Sequence, residues 1–293
     1  MKETERIKGW NGSPNGFVEY VPDDFDPKKL YPTLFWLPGL GEVGAGTDAS
    51  LDKLRTRAIG NWLNDPGINV PFIVLIVQDA NGWGRPLPFI TWAKKNYPID
   101  DLSKHMAGLS AGGYMIRDFL VEGSDEYKSF STFTPMSTNL DAAIPHAQRI
   151  VDNDQYVWGH TGEVDSGANA PGSMARFIAK LQKIDRERGD LTVYKGVGHS
   201  AWEHVYDSSG REAIEIASGT MEGAELFKWM PGQFTFWDWM LAHDKREAPE
   251  PEPPIPEPPA PTQEKVVSSY IQNGLQHIIT ESGNVYTNTV TKL

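Results

Sequence analysis

The sequence contains no cysteine. That absence excludes a disulfide scaffold, a thiolate zinc site, an iron–sulfur cluster and a cysteine nucleophile. No stretch approaches the ~20 consecutive apolar residues of a membrane-spanning helix, so no membrane partner is expected. Basic residues are scarce: 27 Lys and Arg stand against 39 Asp and Glu, for a net charge of −12. Neutralising a nucleic-acid backbone takes clustered Lys and Arg, and no such run exists, so no nucleic-acid partner is expected either. The stretch from Met1 to Lys8 has no apolar centre. A secretory signal is therefore not expected, and the cytoplasm is the default location, with secretion by another route or association with a particle as alternatives. What the 293 residues do have is a hydrophobic fraction of 39%, enough to fill a substantial core.

Proline is distributed unevenly. Of 22 prolines, 8 fall in the 14 residues Ala248–Pro261, which read APEPEPPIPEPPAP. Such a run lacks most backbone donors and favours polyproline II, a stiff solvated spacer. It divides the chain into a body, residues 1–247, a Pro/Glu-rich linker, 248–261, and a tail, 262–293. The tail is too short to bury a core alone. Its VVSSYI segment and a hairpin pattern over His277–Thr287, with a Gly283-Asn284 turn signal, mark a segment for docking, self-association or attachment to an assembly.

The body alternates strand and helix signals. Gly16–Val21, Thr33–Leu37 and Phe72–Val77 read as strands, the last two as buried apolar runs. Leu51, Leu54, Ala58 and Trp62 recur at the spacing of one helix. A helix near Phe89–Asn96 precedes a strand ending near Ala107, and a second helix runs from after Ser110 to Val121. Further strands fit Phe130–Phe133, Gln155–Gly159 and Leu191–Lys195, and helices fit Ser173–Arg188 and Thr235–His243. This pattern predicts an α/β protein with a mostly parallel central sheet and helices on both faces.

Gly108-Leu109-Ser110-Ala111-Gly112 spells G-x-S-x-G between a strand and an amphipathic helix. A sharp strand-to-helix turn holds a serine strained with its Oγ exposed, and glycines leave room for it. The bland reading of the same residues is a glycine-rich helix start with Ser110 as N-cap. A nucleophilic serine needs a base, and the base an orienting acid, following in the order acid then histidine. His199 lies in a glycine-flanked loop after a late strand; His204, His160 and His105 are rivals, His105 being inside a strand. Asp165 follows another late strand, with Glu163 as the alternative acid. Oxyanion donors are expected at the amides of Ala111 and of Leu40, in the loop Pro38–Gly44. Trp83, Met136 and Trp202 fall in predicted loops at the same edge and are candidates to line a substrate pocket, or core residues.

Two rival chemistries fail on spacing. Gly39, Gly41 and Gly44 also spell the dinucleotide fingerprint, but its acidic residue belongs ~20 positions on. The next strand ends near Asp79, 35 residues after Gly44 (79 − 44). His199 and His204 stand five apart and match no zinc-hydrolase motif, so neither metal nor cofactor is expected.

Taken together, GFVEYVPDDFDPKKLYPTLFWLPGLGEVGAG, PFIVLIVQ, GLSAGGYM, GVGHSAWEHVYD and FWDWML resemble, in that order, α/β-hydrolase esterases of the group that includes polyhydroxybutyrate-depolymerase-like and feruloyl- or acetyl-xylan-esterase-like proteins. The resemblance runs from Gly16 to Lys245 and leaves out linker and tail. It implies the α/β-hydrolase fold, Ser110 as nucleophile, His199 as base, and Leu40 and Ala111 as oxyanion donors. The implied substrate is a polysaccharide-linked or small-molecule ester. Three features depart from the group: Pro38-Gly39 where it has His-Gly, Val43 where it has Arg, and His160-Thr-Gly-Glu-Val-Asp165, one residue longer than its pattern. The first departure and the tethered tail support the contrary expectation of a non-catalytic binding module on a hydrolase scaffold.

Overall fold

The computed structural model describes residues 1–6, 10, 16–78, 86–206, 215–227, 235–246, 266–272, 275–280 and 285–289. The chain forms two units, Met1–Arg246 and Glu247–Leu293. The linker read at 248–261 and the turn at 281–284 lie outside the described residues.

The first unit is built on eight strands: β1 (Lys2–Arg6), β2 (Phe17–Val21), β3 (Tyr31–Leu37), β4 (Ile73–Val77), β5 (Ile99–Leu109), β6 (Thr132–Met136), β7 (Tyr156–Gly162) and β8 (Gly189–Tyr194). They form one sheet in the order β1-β2-β4-β3-β5-β6-β7-β8. β1, β2 and β4 pair antiparallel, and every pair from β4 to β8 is parallel. The apolar runs become strands because both of their faces are covered. Along β3, Phe35 and Leu37 enter one core while Leu34 and Trp36 enter the other. Helices α3 (Leu87–Asn96), α4 (Ala111–Glu122), α5 (Ala147–Asp152) and α6 (Pro171–Ile184) bury their apolar stripes in the first core. Helices α1 (Asp48–Thr56), α2 (Ala58–Leu63) and α7 (Phe236–Ala242) bury theirs in the second. No helix among the described residues is long and apolar enough to cross a membrane.

The strand order reverses at β3. The chain leaves β3 toward β4 on one side, then crosses back through α3 to β5 on the other. The crevice outside the carboxyl ends of strands at such a reversal is where open α/β sheets bind ligands. The loops after β3 and β5 meet there, since Leu37 and Gly108 are register partners.

One expected helix is two. Arg57 is extended (φ −129°, ψ 161°) between α1 and α2, and Ala58 takes a positive φ of 43°. The corner is possible because Gly60 lies against the Leu54 carbonyl, where a Cβ would come within 1.8 Å of the oxygen. Leu51 and Leu54 stay in the core, but Trp62 is only partly buried. Elsewhere the expected elements shift by a few residues: β5 runs on to Leu109, and the helix expected over Ser173–Arg188 begins at Pro171 and ends at Ile184. The strand expected at Phe130–Phe133 is Thr132–Met136. A two-stranded ribbon of β9 (Thr220–Met221) and β10 (Ala224–Glu225) had no signal in the sequence.

The second unit is an antiparallel sheet of β11 (Val266–Gln272), β12 (Leu275–Thr280) and β13 (Val285–Thr289). The expected hairpin pairs β12 with β13 through His277↔Thr287 and Ile279↔Val285.

Candidate active site

Ser110 sits on the turn between β5 and α4. Its backbone has φ 51° and ψ −112°, a conformation that costs a residue with a Cβ on the order of 1–3 kcal/mol. The surroundings hold it there. Its amide donates to the Met136 carbonyl at 2.9 Å, and its carbonyl accepts from Tyr114 N–H at 3.1 Å. Gly112 makes the turn possible, because a Cβ on it would lie 1.9 Å from the Leu37 carbonyl oxygen. The serine therefore does more than cap a helix: its side chain makes no capping hydrogen bond. Ala111 is the first residue of α4, so its amide has no partner within the helix.

His199 Nε2 lies 2.8 Å from Ser110 Oγ, and its Nδ1 lies 3.0 Å from Asp165 Oδ2. A carboxylate only accepts, so the ring carries its proton on Nδ1 and turns the Nε2 lone pair to the serine hydroxyl. The Asp165 side chain is 5% exposed, and its second oxygen accepts from Ser166 N–H at 2.8 Å. Glu163 turns elsewhere: its Oε2 accepts from the Gly196 amide at 3.0 Å. That bond ties the loop after β7 to the loop that carries His199. The rivals His160 and His204 are engaged elsewhere. His160 is buried in β7 with Nδ1 2.9 Å from the Tyr194 hydroxyl, and burial depresses its pKa to about 3. His204 ends a short 3₁₀ turn with its ring against Tyr194.

The loop after β3 makes one 3₁₀ turn at Leu40–Glu42. Leu40 and Gly39 line the same cleft as Ser110 and His199, a space of about 610 Å³. Trp202 lines it too and meets the His199 ring edge-on at 5.3 Å. Met136 does not: it closes β6 instead of lying in a loop, and its side chain is fully buried in the core. Its contribution is the carbonyl that holds Ser110 N–H. Trp83 lies outside the described residues. Cleft residues that the sequence reading missed are Arg57, Asn61, Trp62, Glu203 and Tyr206. Only the turn signal that a broken helix would have required could have revealed the first three, and Arg57-Ala58 carries neither Gly nor Pro.

No family model matches the chain, and no curated protein matches its sequence. Solved structures do. A thermostable esterase superposes with a TM-score of 0.50 at 22% identity, over 69% of this chain and 58% of its own. A mutant feruloyl esterase module from Clostridium thermocellum, complexed with sinapinate, gives a TM-score of 0.51 at 17% identity, over 69% of this chain and 83% of its own. This chain has the α/β-hydrolase fold. β5, Ser110 and α4 form one strand–turn–helix, and the loops after β7 and β8 bring Asp165 and His199 to it. The chain spans little more than half the length of the thermostable esterase it matches.

Proposed function

We propose that this protein is a serine hydrolase of carboxylic esters, with Ser110 as nucleophile, His199 as general base and Asp165 as the orienting acid. The observation that carries the reading is the unbroken relay from Asp165 Oδ2 through His199 to Ser110 Oγ, at 3.0 and 2.8 Å, opening on a cleft. Ser110 Oγ attacks the ester carbonyl as its proton passes to His199 Nε2. Asp165 stabilises the imidazolium and holds the tautomer. The amides of Leu40 and Ala111 receive the oxyanion. His199 then protonates the leaving alcohol, and water, deprotonated by the same imidazole, releases the acid and restores Ser110. The protein's own groups suffice for each of these steps.

The substrate reading is a carbohydrate-linked or small acyl ester. Aromatic side chains support it: Trp62, Trp202 and Tyr206 line the cleft beside Ser110, and such side chains suit packing against an aryl or sugar ring. A structural neighbour that is a feruloyl esterase module bound to sinapinate agrees with a site of this kind. A fluorophosphonate probe tests the nucleophile: labelling of the wild type and none of Ser110→Ala is the expected result, and equal labelling of both would end the assignment. Hydrolysis across p-nitrophenyl acyl chain lengths and acetylated or feruloylated polysaccharides identifies the ester.

The C-terminal sheet supports a further part of the reading, attachment or self-association through the tail. Its three strands, VVSSYIQ, LQHIIT and VYTNT, contain no Asp, Glu, Lys or Arg, and Tyr270, Ile271 and Val285 are exposed. Uncharged edge strands lack the usual protection against pairing with another chain.

A further inference from the structure

An oxyanion hole depends on the direction of a peptide N–H, and the loop Gly39–Gly46 has only one 3₁₀ turn of its own to fix that direction. Side chains do the rest. Gln78, fully buried just past β4, donates through Nε2 to the carbonyls of Glu42 at 2.9 Å and Ser50 at 2.8 Å. Its Oε1 accepts from Gly46 N–H and Ser50 Oγ, both at 2.9 Å. Arg57 Nη1 donates to the Gly41 carbonyl at 2.8 Å, and Lys53 Nζ to the Val43 carbonyl at 3.1 Å. These bonds hold the far side of the loop.

Glu42 holds the near side, next to Ser110. Its Oε2 accepts from Gly39 N–H at 2.7 Å, and its own amide donates to the Gly39 carbonyl at 3.1 Å. The second bond has a geometric consequence. In a trans peptide the N–H points opposite to the carbonyl of the same plane. Fixing the Gly39 carbonyl therefore fixes the Leu40 N–H. The first bond fixes the peptide plane before it. Both planes flanking Gly39 are thus held by one residue.

We propose that Glu42 is a positioning residue for the oxyanion hole, its carboxylate and its amide together clamping Gly39 so that the Leu40 N–H is aimed at the oxygen that becomes negative when Ser110 attacks. The inference rests on the ester-hydrolase reading given above. The cost of the arrangement argues that it is used. Glu42 is 6% exposed, and a buried carboxylate is expensive to keep ionised. Desolvation raises its pKa from 4.5 to about 7, partly offset by the Gly39 amide and by the Arg57 charge. The other titratable groups nearby are Lys53 on α1 and, in the cleft, His199 and Glu203; Gln78 faces it uncharged from just past β4. Ionised, the carboxylate is the stronger acceptor for Gly39 N–H; protonated, it is a weaker one.

The test uses the full chain with p-nitrophenyl acetate, comparing wild type, Glu42→Ala and Glu42→Gln. Glu42→Ala should lower kcat ~10²-fold with KM within about threefold, because the oxyanion exists only in the transition state. Glu42→Gln keeps an acceptor for Gly39 N–H and should recover most of that loss. The ratio of wild-type to Glu42→Gln kcat cancels any pH dependence common to both. It should fall from about threefold at pH 8.5 toward unity at pH 5.5, as the wild-type carboxylate protonates. An unchanged kcat in Glu42→Ala, a loss confined to KM, or a Glu42→Gln variant as slow as Glu42→Ala would each overturn the proposal. If Glu42→Ala does not fold, the Glu42→Gln ratio decides, and a ratio independent of pH overturns it. A dead Ser110→Ala beside an unimpaired Glu42→Ala sinks the clamp alone, whereas an active Ser110→Ala sinks the hydrolase reading beneath it.

Discussion

Two sets of serine, histidine and aspartate stand at β5, one within the strand and one at its carboxyl end. At the end, Asp165 meets His199 Nδ1 and Ser110 meets Nε2. Within the strand, Ser103 Oγ donates to Asp244 Oδ2 at 3.0 Å and lies 3.0 Å from His105 Nε2, while His105 Nδ1 lies 2.9 Å from Thr132 Oγ1. The residue types match, but the order differs. Where histidine stands between acid and serine, the acid fixes the proton on the far nitrogen and leaves a lone pair for the serine hydroxyl. Where serine stands between acid and histidine, its one proton goes to the carboxylate. His105 Nε2–H then donates to Ser103 Oγ, and no base faces the hydroxyl. Access differs too. The His199 side chain is 40% exposed beside a cleft, whereas His105 is fully buried and desolvation pushes its pKa down to about 3. On the proposed reading, the order of partners and their access to solvent separate the two sets, not the inventory of side chains.

The largest effect should come from removing the proposed nucleophile or its base. Ser110→Ala or His199→Ala should lower kcat by ~10⁴–10⁶. Ser103→Ala should leave kcat per folded molecule unchanged and cost ~1–3 kcal/mol of stability by denaturant unfolding, from unpaired buried groups. A comparable catalytic loss in Ser103→Ala would erase the distinction.

The two carboxylates after β7 sharpen it. Asp165→Asn should cost ~10⁴ in kcat by disturbing the His199 tautomer. Glu163→Gln, which retains an acceptor for the Gly196 amide, should stay within about threefold of wild type. If instead Glu163→Gln is the slow variant, the acid has been misassigned.

Acid unfolding reads out the buried set. A histidine whose folded pKa is depressed from 6.5 to about 3 binds its proton better in the unfolded chain. The neutral ring's full stability is present above pH 6.5 and is lost progressively as pH falls toward 3. His160 shares this direction. The pH dependence of unfolding between pH 7 and pH 4 should be shallower in His105→Gln than in wild type; identical slopes would mean that His105 is not buried neutral.

The smallest effect concerns the second unit. Ile271→Lys places a charge on a strand residue that is 69% exposed. It should reduce self-association of the full chain in sedimentation velocity and leave p-nitrophenyl acetate hydrolysis unaltered. Unchanged association would remove the edge-strand reading.

Much of this was legible in the sequence because the relevant signals are local. Apolar runs such as Phe72–Val77 announced buried strands, and Gly108–Gly112 announced the elbow, since one turn and its glycines are encoded within five residues. The corner at Arg57 was not legible. Ala58 adopts a positive φ without a glycine, and what permits it is the approach of Gly60 to Leu54. Trp62, spaced as a core residue, therefore lines the cleft. Met136 failed in the other direction: the strand ran longer than expected and carried it inside.

By itself the sequence determined the alternating α/β plan, the strained serine between strand and helix, and the chain order serine, acid, histidine. Periodicity and backbone sterics act over a few residues, so they can be read there. Tertiary structure alone decided which carboxylate meets His199, which histidine reaches Ser110, and which serine–histidine pair is sealed in the core. Those contacts join residues 34 and 89 positions apart. They are set by the register of neighbouring strands and the loops that leave them, and no local spacing encodes that register.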